Sequence, residues 1–438
     1  MSTSVFAISC SVPPPRLSCP RQQGRPSQAP PECILPMQEA KRPEFLQIGR
    51  PHLSTWEYLR LLAKATTIIP LRMVVYVLRI VAFSARRRYK IKYYIFCAIV
   101  DVVFSTFTDR EIQIYSNPTI DAYHSWLNDK LSRTKDPRVR QRLVHDIQPL
   151  GETGGSVAWL GNRRKADKVV LFLHGGGFIA PALRGHFEWC WNTYIEAGRE
   201  AGIEVAVGCL QYTLLNGGRF PVPLTQAVEA LSGILDSGVS PSNVYLGGDS
   251  AGGNLSVQVL GHLLHPCPGL RRLDLAGVPL GGVFLVSPWL SNNVASDSFA
   301  RNDGHDMIST GAMDRLGAAM YGAALLDTYK TQVAVGNYSA ANAYMTPLDT
   351  VETWLDGIER TTESVYVTVG KNEIMYDHGV GLVRLLRRRN APCRIRLDEA
   401  DREAHDFILV ENIFRQPGDA TARMKAWFKE EITEDGAS

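Results

Sequence analysis

The sequence predicts an α/β protein, with a mostly parallel central sheet covered by helices on both faces. Three observations predict it. Short apolar, β-branched runs recur from about position 145 onward, helix-patterned stretches separate most of them, and chemically suggestive residues follow their ends. The runs are KVVLFLH (168–174), VAVGCLQY (205–212), NVYLGG (243–248), GVFLVS (282–287), VYVTVG (365–370) and RIRLDE (394–399). Most are nearly continuous in apolar side chains, as strands buried on both faces require. PLTQAVEALSGILDSG (223–238) and DHGVGLVRLLRRRN (377–390) carry helical spacing between them. On such sheets ligands bind beyond the carboxyl ends of strands, so the reacting groups are sought there.

The first segment needs a different reading. Ten of the 25 prolines fall in the first 51 residues, among Gln, Ser and Arg. Such a stretch buries too little surface to order itself, and residues 1–52 are expected to be a disordered tail. It lacks the basic start and clean apolar core of a secretory signal, which points to an intracellular protein. The whole chain of 438 residues is 45% apolar and carries a formal net charge of only +3. A large core is therefore available, and nucleic acid is not expected as a partner. The eight cysteines, at 10, 19, 33, 97, 190, 209, 267 and 393, show no metal-like spacing and read as reduced. No internal repeat stands out.

Residues 61–107 are apolar but interrupted. Lys64, Arg72 and Arg79 punctuate the first part, Pro70 is expected to break it, and ARRRYKIK (85–92) precedes YYIFCAIVDVVFSTF (93–107) with Asp101 inside. A spanning helix wants about 20 residues with few charges. Three readings stay open: cap helices over an active site, amphipathic helices in a membrane interface, or one short span with snorkelling cations. Contact with the endoplasmic reticulum or another lipid surface is the localisation this allows.

The chemistry begins with NVYLGGDSAGGNL (243–255), read as strand, sharp turn, helix. Gly248-Asp249-Ser250-Ala251-Gly252 fits G-x-S-x-G, where a Cβ two residues either side of the serine would clash. Ser250 is the expected nucleophile, at a helix N-terminus whose positive potential favours an oxyanion. His174-Gly175-Gly176-Gly177 follows an earlier strand, and three glycines let backbone N–H groups approach a substrate. The N–H groups of Gly176, Gly177 and Ala251 are the expected oxyanion donors, with His174 orienting the loop. If the chain order is Ser, acid, His, only His405 among the ten histidines follows the last strand. The acid should follow the strand at 365–370, where Glu373 and Asp377 stand four apart and share a face if a helix begins there. Glu373 is preferred as nearer the strand end, with Asp377 the alternative.

Together these motifs resemble the hormone-sensitive-lipase-like branch of the α/β hydrolases over roughly 145–430. The likeness rests on HGGGF (174–178), QYTLLNGGRFPVPLTQAVEAL (211–231), GDSAGGNL (248–255), SPWLS (287–291), GKNEIMYD (370–377) and AHDF (404–407). It implies the α/β-hydrolase fold with a helical cap and the triad Ser250, Glu373 and His405. AYMTPLDTVETWLDGI (343–358) is most similar to fungal steryl acetyl hydrolases and related esterases, where glutamate can serve as the acid and an apolar N-terminal segment is common. Two departures stand out: Glu373-Ile374-Met375 where the family usually has Asp-Pro-Leu, and LLNGG (214–218) where it usually has Leu-Ala-Pro-Glu. The resemblance implies apolar N-terminal helices over 53–140 and a catalytic domain over 141–432, with a cap insertion about 288–362.

The expected activity is hydrolysis of a short-chain or acetyl ester of a lipophilic alcohol, such as a sterol or a secondary metabolite, without metal or organic cofactor. An amidase or formamidase using the same triad, a cyclase or lyase, and an inactive scaffold are the rival classes. The acyl group, the alcohol and the oligomeric state are not legible in the chain.

Overall fold

The computed structural model describes residues 51–321 and 340–434, apart from 88, 152 and 391. The expected tail, 1–52, lies outside the described residues except for its last two positions.

Eight strands form one sheet: β1 Ile147–Pro149, β2 Ser156–Leu160, β3 Lys168–Leu173, β4 Val205–Gln211, β5 Val244–Asp249, β6 Gly282–Val286, β7 Ser364–Gly370 and β8 Arg394–Ala400. Their order is β1-β2-β4-β3-β5-β6-β7-β8, and all neighbours from β4 to β8 run parallel. Every expected run is a strand of this sheet. The sequence does not single out β1 and β2; β1 pairs antiparallel with β2, and β2 antiparallel with β4. They are three and five residues long, too short to show a period. This is the α/β-hydrolase fold.

Strands β2 to β6 are buried along their whole length, which is why apolar side chains fill them without alternation. Edge strand β8 alternates instead, and its exposed charges are tied to the last helix, Asp419–Glu434. Arg394 pairs with Glu431, Arg396 with Glu430, and Asp398 with Arg423. A charged, covered edge resists strand addition from another chain. From the same helix, Trp427 and Phe428 pack against Phe284 and Tyr245 of the sheet, and the Trp427 indole N–H donates to Glu431 at 3.1 Å.

The order of the strands places the site. From β3 the chain crosses to β4 on one side, then returns to β5 on the other. At such a reversal the two connections leave in opposite directions and open a crevice beyond the strand ends. The loop after β3 carries His174 to Gly177 and the turn after β5 carries Ser250, so both motifs meet at this crevice.

Ahead of the sheet lie helices Thr55–Arg87, Ile91–Thr106, Asp109–Tyr115, Thr119–Arg133 and Pro137–Arg140. The first corrects the expected break at Pro70: it runs 33 residues without interruption. A π-helical turn, Lys64–Ile68, comes just before the proline, and the Ile69 N–H bonds to the Lys64 carbonyl. Widening the turn gives room to a residue that has no N–H and would crowd the carbonyl four positions back. The expected cap insertion contains helices Asp297–Asn302, Thr310–Tyr321 and Ala340–Met345, and its stretch 322–339 lies outside the described residues. Cys97, Cys190, Cys209, Cys267 and Cys393 are buried and unbonded, and Cys10, Cys19 and Cys33 lie outside the described residues.

Candidate active site

β5 delivers the chain to Ser250 with φ +50°, a left-handed conformation that a side chain rarely adopts and that projects Oγ at the tip of the turn. A Cβ on Gly248 would stand 1.8 Å from the Leu173 carbonyl oxygen, and one on Gly252 1.9 Å from the same atom. The glycines of the motif are therefore set by the neighbouring strand. Ser250 opens the helix Ser250–Leu264, so Ala251 is in its first turn, where N–H groups have no partner within the helix. The Trp289 N–H donates to the Ser250 carbonyl at 3.1 Å, and Asn254 Nδ2 donates to the carbonyls of Trp289 and Met345. SPWLS thus braces the elbow from β6.

The glycine loop lies alongside. Gly175 leaves a space filled by the Asp249 carboxylate, since a Cβ there would meet Oδ2 at 2.0 Å. Gly176 and Gly177 have φ +104° and +61°, backbone conformations that glycine reaches without the strain a Cβ would bring. His174 is fully buried, with Nδ1 bonded to the Gly175 carbonyl at 2.7 Å and its ring stacked 4.4 Å from that of Tyr212. The Tyr212 hydroxyl donates to the His174 carbonyl at 2.7 Å. Burial, with His186 nearby, pushes the His174 imidazole down to about 4, so it stays neutral and holds the loop. Leu316, in the expected cap insertion, packs directly on Gly177, and Gln113 of the N-terminal helices donates to the Ile179 carbonyl. Both flanking segments therefore touch this loop.

The expected acid and base follow β7 and β8. Glu373 sits in the turn after β7, and the helix starts only at Tyr376, so Glu373 and Asp377 do not share a helical face. His405 Nδ1 lies 3.3 Å from Glu373 Oε2, with both side chains buried. The approach is off the angle of a good hydrogen bond, as is common before a substrate tightens a site. Asp377 faces elsewhere: its Oδ2 accepts the Ser298 N–H at 2.8 Å. Burial works against a charged His405, but Glu373 first, then Asp306 and Asp249, outweigh it and raise its pKa above the ordinary histidine value. Among the other histidines, His378 is buried and pushed down to about 4, and His262 is held by Arg271 and Cys267 away from the site.

Two further groups were not anticipated. Asp306, buried in the cap insertion, accepts three backbone N–H groups at 2.8 Å each: from Met307 and His405 on Oδ1, and from Ile374 on Oδ2. One carboxylate thereby clasps the acid turn and the base loop together. Burial raises its pKa to about 7, against the pull of His405. A lone acid in GHDMIS (304–309) was the only signal, and nothing in its spacing linked it to the triad.

The second group is His186, Asp249 and Asp406, buried together beneath the elbow. His186 Nδ1 accepts the Leu183 N–H, leaving Nε2–H to face Asp249 Oδ2 at 3.4 Å. Burial and the neighbouring Asp249 charge drive Asp406 well above the carboxylate range, while His186 overcomes burial and keeps Asp249 low. Of the two carboxyls, Asp406 is the one whose neutral form the site favours, which suits it to face Asp249 as a hydrogen-bond donor. Asp249 precedes Ser250 and Asp406 follows His405, so this cluster brings the turn at Ser250 and the loop at His405 together. The Asp406 N–H also donates to Ser287 Oγ at 3.1 Å.

Residues 170–409 match the alpha/beta hydrolase fold family. Similar curated proteins include an acetyl-hydrolase of Streptomyces hygroscopicus, 29% identical over 132 residues, 30% of this chain and 39% of that protein. An ethyl acetate hydrolase of Pseudomonas putida is 33% identical over 96 residues, 21% of this chain and 28% of that protein. The chain thus spans less than half the length of these two relatives. Among solved structures, an esterase from the bacterial hormone-sensitive lipase family superposes with a TM-score of 0.50 at 23% identity, covering 72% of this chain and 99% of that one. A thermostable esterase from Pseudomonas putida gives 0.50 at 18% identity, covering 75% and 89%. These superpositions speak for the fold.

Proposed function

The chain belongs to the α/β-hydrolase-fold family, and from that premise we propose that it is a carboxylic ester hydrolase acting through Ser250, His405 and Glu373. The observation that carries the proposal is the buried His405–Glu373 pair, 3.3 Å apart, on the strand ends that follow a serine held at φ +50°. His405 takes the proton of Ser250 Oγ as that oxygen attacks the ester carbonyl. The N–H groups of Gly176, Gly177 and Ala251 receive the charge on the carbonyl oxygen. His405 then passes its proton to the leaving alcohol. Water, deprotonated by the same imidazole, releases the acid and restores Ser250. Glu373 holds the ring and stabilises the imidazolium at each half-reaction.

The substrate in this reading is a short-chain ester of a lipophilic alcohol. Leu316 over Gly177 brings an apolar wall against the glycine loop, which favours a small acyl group there. Two relatives named for acetyl-ester hydrolysis point the same way. A sterol acetate or an acylated secondary metabolite fits this chemistry.

The test is a hydrolysis screen over acyl length and alcohol size, run beside Ser250→Ala. The proposal requires turnover that falls as the acyl chain lengthens and disappears in the variant. Equal or faster cleavage of matched anilides would move the protein to the amidases, and undiminished turnover by Ser250→Ala would reject the mechanism.

A further inference from the structure

The Thr55–Arg87 helix wears its polarity inside out. By length and composition it could cross a membrane, and although little of it is buried, contacts with the rest of the protein recur from Leu61 to Phe83. Leu71, Val74, Val75 and Leu78 form one face at helical spacing and point to solvent, with Leu71 69% and Leu78 65% exposed. Trp56 and Leu59 continue the exposed apolar surface toward the start of the helix. Cations within the apolar run turn toward the protein instead. Lys64 Nζ reaches Glu111 Oε2 at 2.7 Å, and Arg72 reaches Thr106 Oγ1 at 3.0 Å and Ser105 Oγ at 3.2 Å. A surface helix meant for water shows the opposite arrangement.

Charge identifies what covers this face. Residues 58–100 contain nine Lys and Arg and no Asp or Glu. At the end of the same helix opens a cavity of about 900 Å³ lined by Arg79, Arg86, Arg87, Arg301, Lys371 and Arg402. Asp401 also lines it and is paired with Lys371 at 2.8 Å. An apolar stripe next to a cavity in which five arginines and a lysine meet one aspartate is complementary to a bilayer with anionic headgroups, where each basic residue near the surface adds roughly 1 kcal/mol of attraction.

The contacts also fix the depth. Leu61 and Ile80 are buried against the rest of the protein, and Phe83 stacks on His305 at 4.1 Å. With the Lys64 and Arg72 bonds, these anchor the helix from its first turns to its last. A crossing helix would have to give all of them up.

We propose that the outer face of Thr55–Arg87 seats the protein on an anionic lipid bilayer, with the helix lying in the interface and the cationic cavity at its end receiving lipid phosphate. The seat stands independently of the esterase reading. If both hold, lipophilic esters reach Ser250 from the bilayer rather than from water.

The test is flotation of the full-length chain with phosphatidylcholine vesicles, with and without phosphatidylserine. Binding is expected with phosphatidylserine, with release by alkaline carbonate. Leu71→Glu with Leu78→Glu should lower the partition at least about ten-fold on both vesicle types. Arg86→Glu with Arg87→Glu should lower it about ten-fold or more on phosphatidylserine vesicles alone, an effect that salt erases. Circular dichroism and turnover of a water-soluble ester, which none of the four residues serves, check that the variants fold. Four results would overturn the proposal: no flotation; flotation unchanged in both variants; retention through carbonate, which means a span; or self-association lost in the leucine variant without vesicle binding, which means a second copy covers the face. Binding of inorganic phosphate without vesicle binding would likewise reject the lipid seat.

Discussion

Replacing Asp306 with asparagine separates positioning from chemistry, because Asp306 bonds only to backbone around the triad. The substitution keeps the shape and leaves Oδ1 to accept the Met307 and His405 N–H groups. It replaces Oδ2 by an NH₂ that faces the Ile374 N–H, donor against donor. A charged hydrogen bond lost in a buried site costs about 1.5–3 kcal/mol. If that strain is relieved by the acid turn moving away from His405, kcat should fall roughly 10- to 100-fold, since each 1.36 kcal/mol is a factor of ten. The pH profile carries the second signature. Asp306 is one of the acids that raise the His405 pKa. A general base works deprotonated, so activity climbs as pH rises through that pKa. Burial holds the Asp306 carboxyl up to about 7, so its charge is present over the upper part of that limb; removing it there lowers the His405 pKa, and that part of the kcat/KM limb should move to lower pH. The assay is kcat/KM against pH on a water-soluble short-chain ester, with thermal unfolding recorded for both proteins. Loss of stability with an unshifted limb and wild-type kcat would refute the argument and leave Asp306 a purely structural residue.

Other substitutions test neighbouring parts of the site. Glu373→Gln should cut kcat by about 10³–10⁴-fold, while Asp377→Asn, whose carboxylate serves Ser298, should change kcat by less than about 3-fold and lower stability by roughly 1 kcal/mol; steady-state kinetics and urea melts read both. Gly252→Ala places a Cβ 1.9 Å from the Leu173 carbonyl and should cost about 3 kcal/mol or prevent folding, measured by chemical denaturation. Asp406→Asn keeps a donor for Asp249 and should stay within about 1 kcal/mol of wild type, whereas Asp406→Ala strands a buried carboxylate and should cost about 3 kcal/mol by the same measurement.

What the sequence disclosed follows from where each signal is stored. The six parallel strands were legible because burial on both faces leaves no room for polar residues in runs such as VVLFL. The elbow and the glycine loop were legible because backbone contact at Leu173 and positive φ at Gly176 and Gly177 accept only glycine. β1 and β2 were not, being too short for a period and set by pairing with β4. Pro70 misled because a proline is a local signal, and the π-turn that accommodates it is a property of the helix ahead. Asp306 and the His186–Asp249–Asp406 cluster were illegible for another reason. Their partners are backbone N–H groups or residues far along the chain, and nothing in local composition marks an acid that acts through backbone. The apolar run at 61–107 showed its composition but not its direction: only three dimensions reveal that Lys64 and Arg72 face inward and Leu71 and Leu78 outward.

The central claim is that Ser250 is an activated nucleophile. Reaction of the full-length chain with a fluorophosphonate probe, followed by peptide mapping, tests it most directly. The account predicts a single adduct on Ser250, formed at a rate that rises with pH through the His405 pKa, abolished in Ser250→Ala and strongly slowed in Glu373→Gln. A folded protein that leaves Ser250 unlabelled, or that carries the adduct on another serine, would contradict it.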